Sequence, residues 1–232
     1  MNRQAQAAVM FLLGGALLHA GTTDLYLRYV KSGLQPLLLA AGVVLIAAAL
    51  ATVFYERKRA KPHGGHPEPR VAWLLVLPVL ALILIAPPAL GSYSAVRTGT
   101  ALQPPYGLDP LPAEDPVRLS VVDYASRAAY GHTLRGRTVR VTGFLALDAH
   151  GTPYLVRMAL NCCAADAQPV KIGLTGQLPP VLRPDAWLEV TGEYASRVTR
   201  DPVNNGPIPY LRVTSARPVS APADPYDETW NK

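Results

Sequence analysis

The only two cysteines of this 232-residue chain are adjacent, in Asn161-Cys162-Cys163-Ala164-Ala165-Asp166-Ala167. Paired thiols with a carboxylate three residues on offer four chemistries. Free cysteine packs as a small hydrophobe, so one of the pair could simply fill a core. In an oxidising compartment the two could close a vicinal disulfide, whose tight ring would be reducible. Thiolates also hold zinc or copper(I), with Cys162, Cys163 and Asp166 as the ligands. Thiol catalysis wants a neighbouring base, and the sequence identifies none. On a regular strand adjacent side chains point to opposite faces, so the two thiols cooperate only where a strand ends. Residues 164–169 read as a loop or a short helical turn, which permits cooperation. A closed metal site needs further ligands, and His132 and His150 are the candidates nearest in sequence.

The compartment decides between these chemistries, and the first hundred residues bear on the compartment. Residues 4–23, 32–55 and 71–96 carry no Asp, Glu, Lys or Arg and are rich in Leu, Ala, Val and Ile. About 20 apolar residues suffice for a helix to cross a bilayer. None of the runs shows an amphipathic stripe, so three membrane spans are expected, at about residues 5–24, 34–55 and 71–92. Pro78 is expected to kink the third in mid-span, and Pro87-Pro88 to end or bend it near the outer face. A cleaved signal peptide over residues 1–21 is the competing reading of the first run; it leaves two spans.

Charge gives the expected orientation. Residues 1–97 hold nine Lys and Arg against three Asp and Glu, and so carry the whole net charge of +6; residues 98–232 hold 13 of each. The basic balance is therefore a topology signal and not a polyanion-binding face. Arg57, Lys58, Arg59, Lys61 and Arg70 lie between the second and third spans, against Arg28 and Lys31 between the first two. Excess Lys and Arg mark cytoplasmic loops. The N-terminus is then cytoplasmic and everything after residue 97 extracytoplasmic.

Beyond the spans, residues 98–114 are rich in Pro and Gly and are expected to be a spacer. A domain over 115–219 and a tail over 220–232 follow. Ser120 and Asp123 have the spacing of a capping box, before a short helix with a small apolar face. Five strand-like runs come next, at 138–147, 154–160, 170–175, 186–194 and 210–216, separated by Gly, Pro, Asp or Asn. Gly143 and Gly192 sit inside two of them, where a small closed barrel needs bends or bulges. The expected fold is α + β: three transmembrane helices, then a small antiparallel OB-like β-barrel with one short helix. A sandwich would want about seven strands. OB folds often bind nucleic acid, but a neutral extracytoplasmic domain argues against that. The Pro-rich tail 222–226 is expected to wrap the barrel or dangle.

Other ionisable residues are weaker candidates. His63 and His66 in the cytoplasmic loop offer two metal ligands without acids or cysteines at ligand spacing. His19 and Asp24 are polar groups in or beside the first span. On an unbroken helix their five-residue offset turns them roughly 140° apart, so no direct pairing is expected. No Ser-His-Asp order or nucleophile elbow is present, and no enzymatic activity is expected.

Taken together, the three apolar runs and Pro-rich stretch precede Gly-Arg-Thr-Val-Arg-Val-Thr-Gly-Phe at 136–144. Then come the Cys-Cys-Ala-Ala-Asp-Ala segment at 162–167, Trp187-Leu188-Glu189-Val190-Thr191-Gly192 and Pro222-Ala223-Asp224-Pro225-Tyr226. With Tyr29-Val30-Lys31, this order resembles a bacterial family of permease subunits that carry a domain of unknown function. The resemblance implies a plasma-membrane protein that acts as the small accessory subunit of a larger multi-span permease. It also implies metal handling, because many relatives have a His- and acid-rich loop between the second and third spans. Here that loop keeps only His63 and His66 and is basic. The alternative is a tethered metal-binding or thiol-redox module with no transport role.

Overall fold

A computed structural model describes residues 3–58, 73–74, 76–85, 88–105, 107–131 and 133–228. The chain forms two compact units: Met1–Tyr26 with Ser32–Pro88, and Leu27–Lys31 with Ala89–Lys232.

The first unit is a helical hairpin. Helix α1 spans Arg3–Gly21 and helix α2 spans Gln35–Lys58. Glycine sets their closeness. A Cβ on Gly14 would lie 2.8 Å from the Gly42 carbonyl oxygen, and one on Gly42 would lie 3.1 Å from that of Gly14. Only small residues let helix backbones approach so closely. Arg3 meets Glu56 at 3.7 Å, and Gly21 packs on Leu39, so the helices run antiparallel. Gln35 closes α1 by donating Nε2–H to the Gly21 carbonyl at 2.8 Å. The outer faces leave Phe11, Leu37, Val44, Leu50 and Phe54 exposed. Arg3–Gly21 and Ser32–Glu56 are the stretches long and apolar enough to cross a membrane among the described residues.

Helix α3 covers Val76–Leu84, nine of the residues assigned to the third span. Pro78 lies within this described stretch. Pro87 and most of the basic loop lie outside the described residues.

The second unit is a closed barrel. Its strands are β1 (Val117–Leu119), β2 (Thr138–Leu147), β3 (Pro153–Leu160), β4 (Gln168–Gly176), β5 (Trp187–Arg200), β6 (Pro207–Pro218) and β7 (Tyr226–Glu228). The sheet order is β1-β2-β5-β6-β4-β3-β7, and β2 also pairs β3, which closes a ring of five. The barrel is not wholly antiparallel: β4 and β6 run parallel, as do the outer pairs β1–β2 and β3–β7. The two strand glycines make the closure. β2 pairs β5 through Phe144 and pairs β3 from Phe144 onward. At that corner a Cβ on Gly143 would lie 2.7 Å from the Val156 carbonyl oxygen. Gly192 follows a register shift between β5 and β6.

Two helices complete the unit. Helix α5, Val121–Tyr130, starts as its sequence predicts: the Ser120 hydroxyl accepts the Asp123 amide at 3.0 Å. Its buried side chains Val121, Tyr124, Ala125 and Ala128 join inward residues of the barrel in one core. The Tyr124 hydroxyl donates to the Tyr210 carbonyl at 2.7 Å, and burial pushes its pKa well up. Helix α4, Ser92–Arg97, lies outside the barrel, where Ala95 shares a second core with Phe144, Tyr154, Val156, Met158, Ile208 and Tyr226. Every residue of β3 after Pro153 is therefore buried, so its two faces show no apolar–polar alternation.

The start of the Pro- and Gly-rich stretch, residues 98–101, is docked on the barrel. Lys171 Nζ donates to the Thr98 carbonyl at 2.8 Å and pairs with Asp201 at 2.7 Å. The Thr100 amide donates to the same Asp201 oxygen at 3.0 Å, and the Ala101 amide to the Pro169 carbonyl at 2.9 Å. A buried ammonium–carboxylate pair needs such extra bonds to offset desolvation. The described part of the tail includes β7, an edge strand on β3 fixed by Arg157–Asp227 at 3.0 Å.

Candidate functional site

The two cysteines lie in the connection from β3 to β4. β3 ends at Leu160, and the chain folds back through a 3-10 turn, Ala164–Asp166. Asp166 organises the fold-back. One carboxylate oxygen accepts the Asn161 amide at 3.0 Å and the other the Cys162 amide at 2.9 Å. A short acidic side chain bonding amides earlier in its own turn competes with strand pairing, which is why the ladder stops here. With the strand ended, the two side chains need not diverge. The Cys162 Sγ, Cys163 Sγ and an Asp166 carboxylate oxygen all lie within 4.8 Å of one another.

Neither cysteine fills a core. Cys162 is exposed, Cys163 is half-buried, and both are free thiols. The hydrogen bond to Asp166, then that to Cys163, pushes the Cys162 thiol up to about 11. Burial pushes the Asp166 carboxyl up, but the Cys162 thiol and the amides of Asn161, Cys162 and Cys163 outweigh it and hold the group below its ordinary value. A thiol so firmly protonated is a poor nucleophile at neutral pH. It is a competent metal ligand once a cation displaces its proton. Two sulfurs and one carboxylate oxygen suit zinc or copper(I), with a coordination position left over.

The loop has a backbone partner that is remote in sequence. Val30 forms an antiparallel bridge with Cys163. The Lys31 amide donates to the Cys162 carbonyl at 3.0 Å, and the Ala164 amide to the Tyr29 carbonyl at 2.7 Å. The Tyr29-Val30-Lys31 stretch, part of the sequence resemblance, thus pairs with the cysteine segment.

Of the other sequence candidates, His150 is not brought to this loop. His150 lies in the turn between β2 and β3, at the opposite end of β3. Eight extended residues put it roughly 25 Å away, too far to share a cation. His63, His66 and His132 lie outside the described residues. His19 is exposed near the end of α1, and Asp24 opens a 3-10 segment, Asp24–Arg28, after that helix has ended. No continuous helical face relates them. A separate groove of about 510 Å³ is lined by Arg135, Arg137, Glu193, Tyr194 and Arg212. Arg137 is spent on the Pro112 and Glu114 carbonyls, and Arg212 on Glu193.

Residues 126–227 match the DUF1980 C-terminal domain. The matched region begins within α5 and ends in β7, so it takes in the closed barrel and the Cys162–Cys163 pair. Comparison with curated proteins and with solved structures gave no match. The DUF1980 match therefore brings no named function, and the chemistry rests on the loop.

Proposed function

We propose that this chain is a membrane-anchored barrel that binds a thiophilic cation, zinc or copper(I), through Cys162, Cys163 and Asp166. The observation that carries the reading is the convergence of the three donor atoms within 4.8 Å on a loop whose thiols are free and accessible. A zinc site with three protein ligands keeps a fourth position for water or a partner's ligand. The closed five-stranded ring, with β4 parallel to β6, supports reading the barrel as OB-like. Its β3 face, which OB domains use for oligonucleotides, is covered here by the second core. That cover and the neutral charge of residues 98–232 favour a small cation over nucleic acid. Equilibrium dialysis of the full chain in detergent against zinc, and against copper(I) under reductant, tests the reading. One bound cation per chain is expected, lost in Cys162→Ser and Cys163→Ser; a wild-type protein that takes up neither refutes it.

A second reading makes this protein the accessory subunit of a larger multi-span permease in the bacterial plasma membrane. It is favoured by α1 and α2, which bury small residues against each other and keep large apolar side chains outward, for lipid or for another protein's helices. The three spans expected from the sequence carry few polar groups and would not enclose a pathway alone. Isolation from native membranes should yield a stoichiometric larger membrane protein, and isolation of this chain alone counts against it.

A further inference from the structure

The connection between α1 and α2, Leu27–Lys31, belongs to the compact unit of the barrel. What it touches there is the cysteine loop. The carbonyl of one thiol-bearing residue, Cys162, accepts the Lys31 amide, the other, Cys163, bridges Val30, and the next amide, Ala164, donates to Tyr29. The tail strand holds the same connection at a further point. The Tyr226 hydroxyl donates to the Arg28 carbonyl at 3.1 Å and accepts the Leu90 amide at 3.1 Å.

We propose that the Cys162–Cys163 loop is a latch on the α1–α2 connection, and that a bound thiophilic cation tightens it. The proposal rests on the cation-binding reading of the loop. Without a cation the loop's shape depends on the Asp166 bonds to Asn161 and Cys162. A cation held by both sulfurs and Asp166 adds coordinate bonds between residues 162, 163 and 166. Those bonds fix the Cys162 carbonyl against the Ala164 amide, which are the acceptor for Lys31 and the donor to Tyr29. Linkage makes the effect reciprocal, so freeing the connection weakens cation binding by the same factor.

The test is amide hydrogen exchange on the full chain in detergent, with and without zinc. Zinc is expected to slow the Lys31 and Ala164 amides by about tenfold, within the usual range of coupling between sites. The barrel-core amide of Ile172 should not change. Lys31→Pro, which deletes one donor, should weaken zinc binding about 2- to 10-fold, the range for one hydrogen bond. Tyr226→Phe, which releases Arg28 without touching the loop, is the second variant and should weaken it in the same direction. One zinc per chain with unchanged Lys31 and Ala164 exchange and wild-type affinity in both variants overturns the latch and leaves the cation site standing. No binding of either zinc or copper(I) removes both.

Discussion

At the residue scale the account rests on what Asp166 does to its neighbours. Its carboxylate shapes the turn and takes the Cys162 thiol as a hydrogen-bond donor, so a cation must displace a tightly held proton. Apparent zinc affinity should therefore rise with pH across the neutral range, by about tenfold per unit for each proton displaced. Titrations at pH 6, 7 and 8 read this directly, and a flat profile contradicts it. The signs for the cation-free loop follow from the same shifts. Because the Cys162 pKa is raised, its contribution to stability is complete below the ordinary thiol value and is lost as pH rises through about 11. Because the Asp166 pKa is lowered, its contribution is complete above the ordinary carboxylate value and is lost as pH falls through the lowered one. Both contributions are thus present at neutral pH. The pairing of the thiols was only half legible in the sequence. Adjacency, the carboxylate and the end of the strand could be read from 161–167. The bridge to Val30 could not, because residues 30 and 163 meet only through the tertiary fold.

At the element scale, β2 was readable with its bounds because Val139-Arg140-Val141-Thr142 alternates and Gly143 marks the corner. β3 was readable as a strand, although burial on both faces removes the alternation that usually marks one. The parallel pairing of β4 with β6 leaves no local trace, since strand periodicity is the same for either direction. β7 is three residues behind a Pro-rich stretch and exists because β3 offers an edge and Arg157 a partner for Asp227. Two substitutions probe the barrel. Gly143→Ala forces a methyl group toward the Val156 carbonyl and should cost about 1–3 kcal/mol, seen as a lower thermal midpoint of the full chain. Asp201→Ala strands the buried Lys171 ammonium and should cost about 3–5 kcal/mol in the same measurement. Wild-type midpoints in either would show that the corner or the ion pair does not hold the unit together.

At the scale of the whole molecule, the two units answer different questions. The helical hairpin bears on where the protein resides, and the barrel on what it binds. The orientation that we propose places the barrel across the lipid from Arg57 and its basic neighbours, on the extracytoplasmic side. A tag near residue 228 should be cut by protease added to spheroplasts. Survival there with cleavage only after lysis would place the loop in the cytoplasm. The long helices α1 and α2 were legible as apolar run length, which needs no tertiary information, whereas of the third run only Val76–Leu84 is a described helix. The docking of residues 98–101 on the barrel was not, because a Pro-rich stretch reads alike whether it is free or strapped down by a remote Lys171–Asp201 pair.

The most direct test of the central claim is X-ray absorption at the zinc edge on the zinc-loaded full chain. The account predicts two sulfur ligands at about 2.3 Å and oxygen or nitrogen in the rest of the shell. A shell of nitrogen and oxygen alone would mean that Cys162 and Cys163 do not hold the cation, and would contradict the account.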